Sequence, residues 1–160
     1  MKSYSEKITI LMPLKDQKKE FLRSAIESVI NQIPSDWILF IIVESETPVA
    51  LKKLINSYSD SRIKMITSDR KSLAGACNLG MEYANTDFIC MLSSDDYLDK
   101  KAIAVLKRNI KKYPDVDFFY SSRRYMDEQG KLRGNIMRSK ESFDLNYFKK
   151  IGSPVKNLLC

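Results

Sequence analysis

Residues 37–43 read WILFIIV, an unbroken apolar run. A strand with one face in water would alternate apolar and polar residues. An uninterrupted run of this length suits a strand buried on both faces, the position of an inner strand in a parallel sheet covered by helices. Working outward, residues 7–14 (KITILMPL) are again β-branched and apolar, and Pro13 is expected to stop that strand. Between the two, Phe21, Leu22, Ala25, Ile26, Val29, Ile30 and Ile33 recur at helical spacing, and Pro34 follows. Downstream, Pro48 can open a helix carrying Val49, Leu51, Leu54 and Ile55. Residues 62–67 read as a strand, 73–84 as a helix and 88–92 as another buried strand. Asp99 can cap a helix with the stripe Ala102, Ile103, Leu106, Ile110 and Tyr113, which Pro114 ends. Residues 116–120 look like a fifth strand, 128–134 (EQGKLRG) like a hairpin turn and 142–150 like a short helix. Strands alternating with helices imply βαβ units. The fold class is therefore α/β, a mainly parallel sheet with helices on both faces.

The chain has 160 residues, 44% apolar and 29% charged, the size and composition of one ordinary domain with a continuous core. The apolar run in the opening MKSYSEKITILMPL is too short for a signal peptide or membrane span, so the expected location is cytoplasmic. There is no histidine, which excludes Ser-His and Cys-His nucleophile pairs and most imidazole chemistry. Cys77, Cys90 and Cys160 do not have the spacing of a zinc site. Chemistry must rest on carboxylates, cations and a metal held by oxygen. The net charge of +7 gathers late, at Lys107, Arg108, Lys111, Lys112, Arg123, Arg124, Lys131, Arg133, Arg138 and Lys140, and favours anionic partners. Arg123-Arg124-Tyr125 is too little aromatic interleaving for a nucleic-acid surface, and no nucleic-acid partner is expected.

Parallel α/β sheets bind ligands at the carboxyl ends of their strands, near a switch in strand order. Here those ends read Pro13-Leu14-Lys15-Asp16, Glu44-Ser45-Glu46, Ser68-Asp69-Arg70-Lys71 and Ser93-Ser94-Asp95-Asp96. Adjacent carboxylates such as Asp95 and Asp96 repel and need open water or a cation beside them. A surface turn ahead of a helix would give them water. A divalent ion shared with a phosphate would give them charge, and hard oxygen ligands select Mg2+ or Mn2+.

Taken in order and spacing, ITILMPLKD, AIESVINQ, WILFIIVES, RIKMI and LAGACNLGMEYANTDFICMLSSDDYLD resemble the family 2 glycosyltransferases of the GT-A (Rossmann-like) fold, over roughly residues 8–120. The resemblance implies an enzyme that takes a nucleotide-diphosphate sugar, commonly uridine-linked, with a divalent metal, and transfers the sugar to a glycan or lipid-linked acceptor. It implies that Asp95 faces the ribose or sugar and that Asp96 holds the metal. Pro13 and Leu14 would line the base pocket with Lys15, Glu44 would sit near base and ribose, and Asp69 and Arg70 would lie beside the nucleotide. It divides the chain into a nucleotide-sugar-binding domain, 1–122, and the start of a truncated acceptor-side region, 123–160. Lipid-linked acceptors would bring the protein to the inner face of the membrane as a peripheral contact. Several positions depart from the family's usual residues: Lys15 for an aromatic, Glu44-Ser45-Glu46 for Asp-Asp and a small residue, Cys77 for arginine (which Arg70 or Lys71 would replace) and Ser93 for aspartate. Inverting transfer needs a general base. The family's base segment has no counterpart here, and Asp144 and Asp127 are the substitutes on offer, so the catalytic residue stays unassigned. The alternative is a non-catalytic nucleotide-binding or assembly module on the same scaffold.

Overall fold

The structure, a computed structural model, describes residues 7–138. The expected helix at 142–150, the candidate base Asp144 and residues 151–160 lie outside the described residues. The chain divides into two compact units, residues 1–115 and 116–160.

In the first unit the elements are β1 (Ile8–Leu14), α1 (Lys19–Ile30), β2 (Trp37–Glu44), α2 (Val49–Asn56), β3 (Ile63–Ser68), α3 (Leu73–Tyr83), β4 (Ile89–Met91) and α4 (Ala102–Lys112). The four strands form one parallel sheet in the order β3-β2-β1-β4. The run WILFIIV lies in β2, between β1 and β3, and its residues 39–43 are all buried. Because parallel crossovers are right-handed, the connections through α1 and α2, which step the same way across the sheet, cover one face. The return step from β3 to β4 puts α3 on the other. On the α3 face, Leu11, Phe40, Ile42 and Ala76 form a buried cluster with Ile38, Ile66, Leu79 and Met91 packed against it. Strand alternation sends Leu39, Ile41 and Val43 to the opposite face. Gly80 fixes how closely α3 approaches: a Cβ there would stand 3.0 Å from Ile42 Cδ1 and 3.0 Å from Leu11 Cδ2, so only glycine fits without displacing the strand side chains.

Pro13 does not stop β1. It stays in the strand, in register with Ile42. The reason is directional. Thr9 N donates to Phe88 O and Leu92 N donates to Leu11 O, so the odd-numbered residues of β1 bond towards β4. The next donor on that side would be the nitrogen of residue 13, and proline has none. The β1–β4 ladder accordingly ends at Leu11↔Met91, and beyond Leu92 the chain takes up a turn rather than further pairing with β1. β4 is an edge strand among the described residues, with Ile89 37% exposed and Cys90 buried, so it is less enclosed than its composition suggests. Ile33 falls off the α1 stripe and is 79% exposed, whereas Gln32 beside it is buried. Asp99 lies ahead of α4 and accepts from Lys101 N through its carboxylate.

In the second unit the expected strand at 116–120 is absent, and those residues have no regular structure. The hairpin is present, with β5 (Arg123–Met126) antiparallel to β6 (Leu132–Met137). Gly130 turns the connection with φ 78°, a conformation that disfavours a side chain. The Asp127 carboxylate accepts from Gln129 N at 3.1 Å, Lys131 N at 2.8 Å and Arg133 Nε at 2.6 Å.

Candidate functional site

The strand order reverses between β1 and β4, and the crevice at their carboxyl ends is where an open α/β sheet accepts a ligand. On the β4 side the chain leaves the sheet at Leu92 and closes a turn in which Asp96 N donates to Ser93 O at 3.1 Å. Asp95 is exposed, Asp96 half-buried and Ser94 buried. The acidic pair therefore stands at the switch point on a short hydrogen-bonded turn.

On the β1–β2 side a threonine joins the two strand ends. Thr47, 2% exposed, accepts from Glu44 N at 3.0 Å and donates its hydroxyl to Leu14 O at 3.1 Å. Its own N–H returns to Glu44 O. Leu14 is buried, Pro13 half-buried and Lys15 exposed, so Pro13 and Lys15 present the surface at this end of β1. The Glu44 side chain is 11% exposed, and Lys15 Nζ stands 3.5 Å from its Oε2.

Asp69 and Arg70 lie one strand further out, past β2. Ser68 Oγ accepts from Arg70 N at 3.1 Å, and the Arg70 guanidinium forks onto both oxygens of Glu82 on α3 at 2.9 Å each. Lys71 Nζ lies 3.2 Å from Glu46 and ties the β3 end to the β2 end. Glu46 is held down to about 2, first by its own backbone N–H, then by the Ser45 hydroxyl and by Lys71. The two cations that would replace an arginine at Cys77 are thus each engaged with a carboxylate. The half-buried Cys77 has its thiol pushed up by burial.

The donor set suits a hard divalent ion. Among the described residues no group of three or more histidine, cysteine or acidic side chains could form a metal cage. Mg2+ and related ions keep several waters and take one or two carboxylates plus phosphate oxygens, and the pair Asp95-Asp96 beside the Ser93 and Ser94 hydroxyls offers that set.

Asp127 is bound within its hairpin turn, and these bonds, led by Lys131 N–H, lower its pKa. A carboxylate so engaged is a poor proton acceptor, so this candidate base is a turn residue. Sequence reasoning missed Thr47, Ser28 and Gln32. A threonine just past a strand end and ahead of Pro48 is a turn-bonding signal. Ser28 and Gln32 are polar residues on the buried side of an otherwise apolar helix stripe. Ser28 donates to Ala25 O at 2.7 Å and accepts from Leu98 N at 3.1 Å. Gln32 donates to Ser28 O at 2.9 Å and Asp99 O at 2.8 Å, and accepts from Ile103 N at 3.0 Å.

Known proteins resemble this chain in sequence and in fold. The chain is 26% identical over 141 residues to the O-antigen biosynthesis protein RfbC of Myxococcus xanthus, a match covering 86% of this chain and 11% of that protein. It is 32% identical over 109 residues to WfgD of Escherichia coli, named a UDP-Glc:α-D-GlcNAc-diphosphoundecaprenol β-1,3-glucosyltransferase, covering 64% of this chain and 42% of that one. The chain thus spans less than half the length of either relative. Its fold is similar to that of Staphylococcus aureus TarS crystallised in complex with UDP-GlcNAc, with a TM-score of 0.60 and 15% identity over 68% of this chain and 32% of that one. The model of glycosyl transferase family 2 matches residues 9–158, and the chain belongs to that family.

Proposed function

We propose that the chain is the donor-binding part of a glycosyltransferase that holds a nucleoside-diphosphate sugar, uridine-linked, and passes the sugar with inversion to a hydroxyl of a glycan or lipid-linked acceptor. The observation that carries this reading is the placement of the Asp95-Asp96 turn and the Leu14–Thr47–Glu44 junction on the two flanks of the β1/β4 switch point. Pro13, Leu14 and Glu44 then serve the base and ribose, Asp95 the ribose or sugar, and Asp96 a Mg2+ or Mn2+ ion. That ion, when bound, offsets the charge that develops on the departing diphosphate. Asp69 and Arg70 border the nucleotide from the β3 end. The residues from 123 onward begin the acceptor side. A uridine-bearing donor agrees with the relative named for UDP-Glc and with the neighbour crystallised with UDP-GlcNAc.

In the transfer, the acceptor oxygen bonds to the anomeric carbon as the bond to the β-phosphate oxygen breaks, and the acceptor proton goes to a general base. Asp127 is a poor base for the reason given above. The second reading is a module that binds the donor without transferring it. Incubating the chain with UDP-glucose or UDP-N-acetylglucosamine and Mn2+ separates the two: slow release of uridine diphosphate that disappears in Asp96→Ala supports a transferase site. Firm donor binding with zero release supports the binding module.

A cytoplasmic site at the inner membrane face is part of the same proposal. No helix among the described residues is long and apolar enough to cross a membrane, and the contact proposed for this part is a peripheral one through basic side chains. On α4, Arg108, Lys111 and Lys112 are exposed, while Lys107 is paired with Asp36. Sedimentation with vesicles containing phosphatidylglycerol should fall when the three exposed cations are changed to glutamine, and unchanged sedimentation would make this face only a solvated one.

A further inference from the structure

We propose that Ser28 and Gln32 are positioning residues for the Asp95-Asp96 turn, which makes the end of α1 part of the donor site. The inference rests on the reading of that site under Proposed function. The acidic turn is fixed at its upstream end by Leu92 N–H on Leu11 O, where β4 leaves the sheet. Its downstream end has no strand to bond to. The backbone groups that follow it are taken up instead by two side chains of a different element. Leu98 N–H goes to Ser28 Oγ, Asp99 O receives Gln32 Nε2, and Ile103 N–H goes to Gln32 Oε1. The participants are enclosed: Ser28 is 4% exposed, Gln32 2%, Leu98 2% and Ile103 1%.

The chemistry of the clamp explains why an amide and a hydroxyl stand on an apolar stripe. The first turn of a helix leaves backbone N–H groups unsatisfied, and α4 has no side-chain cap of its own. Gln32 supplies that cap from α1, and the same amide holds the carbonyl of Asp99. One side chain therefore sets both where α4 begins and where the acidic turn ends. With both ends held, the short stretch from Ser93 to Tyr97 has little freedom to move its carboxylates relative to the β1 end. Groups that orient a metal-proximal carboxylate through a second bond affect ion affinity although they never touch the ion.

The test is calorimetry of uridine diphosphate binding to Ser28→Ala and Gln32→Met, each measured with Mn2+ and with chelator, beside thermal unfolding. The Mn2+-dependent affinity should fall roughly tenfold in both variants. The metal-free affinity, which the Leu14–Glu44 flank carries, should stay within about twofold. Ser24→Ala, which removes a hydroxyl bonded to Glu20 O on the exposed side of α1, should leave both unchanged. Should Gln32→Met fail to fold, Ser28→Ala carries the test, because the only bond it removes between elements is the one from Leu98, the other being to Ala25 O within α1. Lower thermal stability with an unchanged Mn2+-dependent affinity would reduce the clamp to scaffolding and overturn the proposal. If the unaltered chain itself shows no Mn2+-dependent binding, it is the reading of the donor site that fails.

Discussion

Asp96→Ala lowers the affinity for uridine diphosphate in the presence of Mn2+ on the order of a hundredfold, and chelation then has no further effect. The magnitude follows from what the site lacks. Among the described residues there is no three-ligand cage, so an ion here would be held by one or two carboxylates and the diphosphate itself. Removing Asp96, the carboxylate proposed to hold the ion, would leave it without a protein ligand, because Asp95 is proposed to serve the ribose or sugar. The residual affinity should match that of the unaltered chain measured with chelator, since the Pro13–Glu44 flank is untouched. Calorimetry of the four combinations of protein and metal checks this. A variant that still responds to Mn2+ as the parent does would remove Asp96 from the site.

Ile41→Ala costs about 4 kcal/mol of stability, and the urea midpoint falls by roughly 2 M. Ile41 is 0% exposed and paired in register with Met12 on β1 and Met65 on β3, so the cavity forms in the middle of the sheet, where neighbours on both sides are fixed. Ile33→Ala deletes the same atoms at a site 79% exposed and should change stability by no more than about 0.5 kcal/mol. Chemical denaturation of the two variants tests the assignment of WILFIIV to an inner strand. Comparable losses in both would contradict it.

How far the sequence could be read depended on whether a feature is local. The inner strand was legible because burial on both faces leaves a run with no polar residue, and the alternation of elements then followed from spacing. The strand order was not, since it depends on which edges pair. The sequence could name the rim segments but not set β1 between β2 and β4. Pro13 was misread because its effect depends on direction: its missing N–H ends the pairing towards β4 and leaves the pairing with β2 intact. Residues 116–120 carry strand-like composition, yet composition does not supply a pairing partner. At the candidate site, the acidic pair stood out as adjacent like charges. Thr47, Ser28 and Gln32 did not, because their partners are backbone groups, and each has at least one of them far away in the chain. Arg70 and Asp127 were visible as charges, but whether a charge meets ligand or protein depends on Glu82 in one case and on the hairpin backbone in the other.

The central claim is that a divalent ion and a diphosphate meet at Asp95-Asp96, on the rim between β1 and β4. Mn2+ is paramagnetic and broadens amide resonances near it, so titrating substoichiometric Mn2+ into the 15N-labelled chain with uridine diphosphate reads the location directly. The account predicts broadening centred on residues 93–97 and reaching Leu14 and Lys15, with Ile8 and Trp37 at the far end of the sheet unaffected. Broadening centred on the Asp127 turn, on α4 or on no particular residue would contradict it.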